Sequence, residues 1–131
     1  MKHEIPQMLK QGSGAIVNTS SIYGLVGIPT GPAYAAAKHG VIGLTKSAAL
    51  TYAQKGIRVN ALSPGPLDTL AARGIHGFLD MKRGYAERAP LGRNNTHEEV
   101  AKAALFLCSD LASGVTGVVL PVDAGYHIMA V

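Results

Sequence analysis

Two short runs rich in β-branched residues, Ala15-Ile16-Val17-Asn18-Thr19 and Ile57-Arg58-Val59-Asn60-Ala61-Leu62-Ser63, stand on either side of a long helix-forming stretch. A strand, a crossover helix and a second strand joined this way make a parallel pair with a right-handed connection in nearly all folds. The stretch between them, from Ala33 to about Lys55, is dominated by Ala, Leu, Lys and Gln, and Gly56 supplies its C-terminal stop. Gly40 and Gly43 lower helix propensity inside it and read as points of close packing or backbone approach.

The same alternation continues along the chain. Residues 1 to 11 read as the end of a helix stopped by Gly12 and Gly14, with Ile5, Met8 and Leu9 on one face. Ser20 to Pro32, rich in Gly, Ser, Thr and Pro, is a loop at the end of the first strand. Pro64-Gly65 ends the second strand, and a short helix is predicted around Phe78 to Arg88. Thr96-His97-Glu98-Glu99 is a capping box, followed by the helical stripe Val100, Ala103, Ala104 and Leu107. Val118 to Val122 closes as a last strand. The predicted class is α/β with about three parallel strands and flanking helices. The first strand wants a neighbour on each side, so the chain reads as half of a larger sheet, a single partial domain over 1–131.

Composition narrows the function classes. In 131 residues, 47% are apolar and 15% charged, against roughly 25% charged in an average soluble domain, so a packed core is expected rather than disorder. No apolar run approaches the roughly 18 residues a bilayer span needs, so no membrane association is expected. The single Cys108 reads as a small buried hydrophobe. With one cysteine and no apolar leader after Met1, a reducing cytoplasmic setting is the expectation. The net charge of +4 gathers only around Lys82, Arg83, Arg88 and Arg93, and aromatic content is 5%, which argues against a nucleic-acid partner. His39, His76, His97 and His127 show no metal-ligand spacing with Cys108 or the carboxylates, so no metal is expected.

The most informative motif is Tyr34-Ala35-Ala36-Ala37-Lys38, where the i to i+4 spacing puts a phenol and an ammonium on one helix face. A neighbouring cation favours phenolate and lowers a tyrosine pKa from its free value near ~10, which suits acid–base work at neutral pH. Ser21, thirteen residues earlier, falls at the C-terminal end of a strand, where open parallel sheets present ligand-binding groups. Each residue also has a plain reading: a solvated Tyr and Lys pair, and a serine that caps a turn. Tyr23, Ile28, Phe78 and Tyr85 either line a substrate pocket or pack. Asn60, Asp123 and Gly125 read as structural.

The ordered set Asn18-x-Ser20-Ser21, Tyr34-x-x-x-Lys38, Ile57-Arg58-Val59-Asn60 and Pro64-Gly65-x-x-x-Thr69 resembles the short-chain dehydrogenase/reductase family over nearly the whole chain. The resemblance implies the C-terminal half of a Rossmann-like doubly wound parallel sheet. It implies an NAD(P)-dependent oxidoreductase that interconverts a secondary alcohol and a ketone by hydride transfer, with a small alcohol or ketone as substrate and NAD or NADP as cofactor. Tyr34 is then the general acid and base, Lys38 assists it and holds the nicotinamide ribose, and Ser21 polarises the carbonyl. Tyr34, Lys38, Pro64, Gly65, the Leu67 main chain and the Thr69 side chain match cofactor-contacting positions. A complete member is expected to form homo-oligomers.

The departures from the family are equally specific. The Gly-rich turn that holds the pyrophosphate after the first strand has no counterpart here, since Gly12-Ser13-Gly14 precedes a strand. The residue that selects NAD or NADP and the upstream catalytic asparagine are also missing, and Asn18 is not the match of the latter. Two classes follow: an oxidoreductase represented by part of its sequence, or a truncated non-catalytic fragment that at most associates with full-length relatives. The basic charge around residues 82–93 suits an acidic or carrier-linked substrate, or is a solvated face.

Overall fold

A computed structural model describes residues 1–129. Eight regular elements alternate along the chain: α1 (Glu4–Gln11), β1 (Gly14–Thr19), α2 (Pro32–Tyr52), β2 (Ile57–Pro64), α3 (Leu70–Arg73), α4 (Phe78–Arg88), α5 (His97–Cys108) and β3 (Val119–Val122). The strands form one sheet in the order β1-β2-β3, and both pairings are parallel. Gly14 is in register with Ile57 and Thr19 with Leu62, while Ala61 pairs with Val119 and Pro64 with Val122. All three strands therefore end on the same edge of the sheet.

Strand alternation explains why β2 lies at the centre. Ile57 and Val59 are fully buried and join Ile16, Ala48 and Ala49 in a core between β1, β2 and α2, which Ile5 of α1 completes. The intervening Arg58 and Asn60 turn to the other face. Arg58 donates to the carbonyls of Leu107 and Ser109 at the end of α5, and Asn60 donates to Val115 O at 3.0 Å and accepts from Val118 N at 3.1 Å. Backbone partners thus take up the polar groups that Arg58 and Asn60 bring into a strand buried on both faces, while the buried Ser63 hydroxyl has no partner among the described residues. Asn60 is structural, as its position within a strand predicts.

The crossover helix has one buried face, made by Ile42, Thr45, Ala48 and Ala49 at helical spacing. Thr45 Oγ1 accepts from Asn18 Nδ2 at 2.9 Å and donates to Val41 O at 2.8 Å, a polar tie from β1 to α2 with no exposed surface on Thr45. Gly40 and Gly43 fall on the opposite, open face, where a Cβ would meet nothing within 4 Å, so the close packing expected at both is not found here. Cys108 is likewise exposed, because Leu107 and not its neighbour points inward on α5. The capping box forms as predicted, with Thr96 Oγ1 accepting from Glu99 N and the Glu99 carboxylate accepting from Thr96 N. The strands begin and end within one residue of their sequence-based limits, and α3 is the one helix the sequence does not predict.

Asn60→Ala is expected to destabilise the protein by about 1–3 kcal/mol, because it empties the place of a fully buried side chain and leaves two part-buried backbone groups without their partner. Denaturant unfolding of the two proteins checks this.

Candidate active site

Everything that the sequence marks as reactive lies at the C-terminal edge of the sheet, where the strands stop and their chain turns out. β1 runs into Ser20 and Ser21, whose side chains are 3% and 8% exposed. Ser21 caps a short turn, its Oγ accepting from Tyr23 N at 3.2 Å. The plain reading of Ser21 as a cap is thus fulfilled, yet its hydroxyl proton stays available, since a hydroxyl both accepts and donates.

Lys38 is fixed at both ends, by the last residue of β1 and by the one that follows it. Its Nζ donates to Thr19 O at 3.0 Å, and its own carbonyl accepts from Ser20 Oγ at 2.9 Å. An ammonium has three N–H groups, so two remain for another partner. Tyr34, one turn earlier on α2, has its ring centroid 5.6 Å from Lys38 Nζ and is 49% exposed. The turn after Ser21 approaches α2 so closely that a Cβ on Gly24 would press into Ser20 Oγ and stand 2.8 Å from Lys38 O. Tyr23, on the same turn, sets its ring edge against Tyr34, centroids 6.5 Å apart at 75°. Burial, first of all, raises the Tyr23 phenol above its ordinary pKa.

The other wall comes from the end of β2. Pro64 is buried, and Gly65 donates its N–H to Val122 O at 3.1 Å. A Cβ on Gly65 would stand 2.5 Å from Tyr85 Oη and 2.7 Å from Asn95 Oδ1. Tyr85 cannot yield easily, since its ring is buried, stacked on Tyr126 at 3.9 Å, and its hydroxyl donates to Asp123 O at 3.0 Å. Burial pushes its phenol far above the ordinary tyrosine range, so it acts as a neutral donor. Asn95 is 7% exposed, and neither atom of its amide has a partner among the described residues. Beyond Gly65, Leu67 accepts from Thr69 N through its carbonyl, and Thr69 Oγ1 caps α3 by accepting from Ala72 N at 3.1 Å. Asp68 binds Arg73 at 2.6 Å and Lys82 at 3.3 Å, and the Arg73 hydrogen bond holds its carboxyl down at about 2.

The structure thus brings Ser21, Tyr34 and Lys38 to one edge with Pro64, Gly65, Leu67 and Thr69 beside them. Asn18, by contrast, is spent on Thr45 inside the fold. Of the four side chains with two readings, Phe78 and Tyr85 are buried, whereas Tyr23 and Ile28 keep partial exposure. Sequence reasoning missed Asn95 and Tyr126. A lone Asn in a loop and an aromatic 41 positions from its stacking partner carry no local signal. Among the described residues no group of three His, Cys, Asp or Glu side chains gathers as a metal site requires.

A nicotinamide nucleotide needs ribose-binding donors, a backbone that approaches closely and polar groups for a carboxamide. The two spare N–H groups of Lys38, the side-chain-free Gly65 and the unmatched hydroxyl proton of Thr69 fit those demands.

Comparison with known proteins agrees with this arrangement. The family model described as Enoyl-(Acyl carrier protein) reductase matches residues 1–127. The chain is 52% identical over 125 residues to the cis-4-hydroxycyclohexanecarboxylate dehydrogenase of Sinomonas cyclohexanicum, covering 95% of this chain and 49% of that one. It is 49% identical over 126 residues to the cyclohexanol dehydrogenase of Acinetobacter sp. strain SE19, covering 96% of this chain and 48% of that one. The crystal structure of the Bacillus cereus enoyl-acyl carrier protein reductase with NADP+ superposes with a TM-score of 0.86 at 42% identity, over 91% of this chain and 46% of that one. The fold is the α/β arrangement of parallel strands and flanking helices found in Rossmann-type structures. The chain belongs to the short-chain dehydrogenase/reductase family, and it spans about half the length of the curated relatives it matches.

Gly65→Ala is expected to push Tyr85 off the Asp123 carbonyl and cost about 1–3 kcal/mol, read from denaturant unfolding. A second expectation concerns acid. The Asp68 carboxyl is depressed in the folded chain, so its contribution is present above the unfolded value of 3.8 and lost as pH falls toward about 2. Limited proteolysis at low pH should therefore open residues 66–77 across that window, and Asp68→Asn should be open already at pH 7.

Proposed function

We propose that this chain forms the catalytic half of an NAD(P)-dependent oxidoreductase that interconverts a small secondary alcohol and its ketone. The supporting observation is the clamp on Lys38: Thr19 and Ser20 hold both its ends, and so set the ammonium beside Tyr34 at the open edge of the sheet. The backbone holds that cation one turn from a half-exposed phenol, which places Tyr34 Oη to give or take a proton. In reduction Tyr34 Oη gives its proton to the carbonyl oxygen; in oxidation it takes the hydroxyl proton. Ser21 donates its free hydroxyl proton to the same oxygen, aligning it and stabilising the charge that develops there.

The nicotinamide cofactor, when bound, supplies or accepts the hydride. Lys38 and Tyr34 hold its ribose, and the Pro64-Gly65 turn, the Leu67 main chain and the Thr69 hydroxyl hold its nicotinamide end. The pairing of Asp68 with Arg73 and Lys82 keeps that loop folded back. Two curated relatives named for cyclohexane-ring alcohols support an alicyclic alcohol as the substrate class. Exposed Leu44 and Leu50 on α2 and Leu105 on α5 support association of subunits in the whole enzyme. A second reading, a chain that binds partners without turnover, draws on its spanning about half of its curated relatives.

Tyr34→Phe in the full-length protein is expected to abolish NAD(P)-coupled oxidation of cyclohexanol, a loss of at least 10³-fold, with unchanged circular dichroism. Lys38→Met, which removes the ammonium donors beside Tyr34, should raise the KM for the nucleotide and lower turnover. Turnover retained in Tyr34→Phe removes the phenol from the mechanism, and an absence of any dehydrogenase activity in the unaltered protein favours the non-catalytic reading.

A further inference from the structure

The basic residues that gather between positions 73 and 93 are almost all matched by carboxylates. Arg73 and Lys82 share Asp68 at 2.6 and 3.3 Å, Arg83 meets Asp80 at 3.8 Å, and Arg93 meets Glu99 at 2.6 Å. Arg88 differs. Among the described residues it has no salt bridge, and its Nε donates to Gly84 O at 3.1 Å, one turn back on its own helix. That bond uses one of five guanidinium N–H groups and leaves the terminal fork unmatched. The carboxylate of Asp123 is not spare, for it accepts from the backbone of Gly125 and His127 and from the His127 ring.

The fork is held over an aromatic floor that leads to Tyr34. Arg88 Cζ lies 5.4 Å from the Tyr126 ring centroid, and Tyr126 stacks on Tyr85 at 9° between planes. Tyr85 is anchored by burial and by its bond to Asp123 O, so the floor is rigid. Tyr23 packs on the same cluster of Ile22, Tyr85, Ala89 and Ala124, and its other side faces the Tyr34 ring at 6.5 Å. Along one surface there is thus a proton donor, an apolar aromatic stretch and an unpaired cation, in that order.

We infer that Arg88 is a specificity-determining residue: it binds a carboxylate carried by the substrate on the side away from the reacting carbon, with Tyr23 and Tyr126 against the apolar ring between. The inference rests on the proposed dehydrogenase function. A guanidinium fork matches a carboxylate bidentately, and stacking on Tyr126 limits the freedom it loses on binding. A phosphate within a carrier-linked thioester offers the same charge from a longer substrate. The two sources share that charge, and the test separates them.

The test compares, in the full-length protein, kcat/KM for 4-hydroxycyclohexane-1-carboxylate and for cyclohexanol, with a 3-hydroxyacyl pantetheine phosphate thioester as a third substrate. The unaltered protein is expected to prefer the carboxylate by at least tenfold over both. Arg88→Gln should lower the carboxylate-to-cyclohexanol ratio by roughly tenfold to a hundredfold, the range of one charge-assisted contact, with the change in KM rather than kcat. Arg88→Lys, which keeps the charge and loses the fork, should retain part of the preference. Turnover of both alcohols with an unchanged ratio in Arg88→Gln overturns the inference and leaves the dehydrogenase reading standing, as does a preference for the thioester. Failure of the unaltered protein to oxidise any of the three overturns both.

Discussion

Lys38 is bonded at both ends to two consecutive residues of another element, and the geometry of the whole site hangs from that pair of contacts. The ammonium reaches Thr19 O, the last carbonyl of β1, while the Lys38 carbonyl receives the hydroxyl of Ser20. A mid-helix carbonyl that accepts a side chain brings α2 down onto the end of β1. The glycine at position 24 lets the next turn come equally close. These contacts lock strand end, turn and helix together around Ser21, Tyr23, Tyr34 and Lys38. Pre-organised polar groups of this kind need little rearrangement when charge moves.

The lock works because β2 gives it a rigid support. β2 is buried on both faces, pairs with a parallel strand on each side, and its Arg58 and Asn60 side chains bond backbone partners from the α5–β3 segment. Its end therefore delivers Pro64 and Gly65 at a defined height beside the Tyr34 edge. Behind Gly65 the ring of Tyr85 and the amide of Asn95 leave no room for a side chain. An absent Cβ there exposes backbone to a ligand, and the filled space behind keeps that backbone from sinking away.

Charge is arranged by the same economy. Asp68 serves two cations, Glu99 both caps its helix and pairs with Arg93, and Asp123 gathers three N–H donors at the end of β3. Surface pairs of this sort add little stability individually but fix loop conformations. Arg88 pairs with no carboxylate among the described residues and is laid over Tyr126 instead.

Periodicity and punctuation alone determined the architecture: β-branched runs, a long Ala-rich crossover, glycine stops and a capping box specify parallel strands and their helices because these signals are local. The spaced set of Ser21, Tyr34, Lys38, Pro64, Gly65 and Thr69 was legible for the same reason, each motif being short and its order informative. Burial within an element was less so, and Cys108, Gly40 and Gly43 turned out to be exposed because a neighbouring residue or the opposite helix face meets the core. Only the tertiary structure decided that Tyr85 stacks on Tyr126, that Asn95 stands behind Gly65, and that Arg88 has no carboxylate partner among the described residues. Those contacts join residues tens of positions apart, through packing and charge pairing that no local pattern encodes.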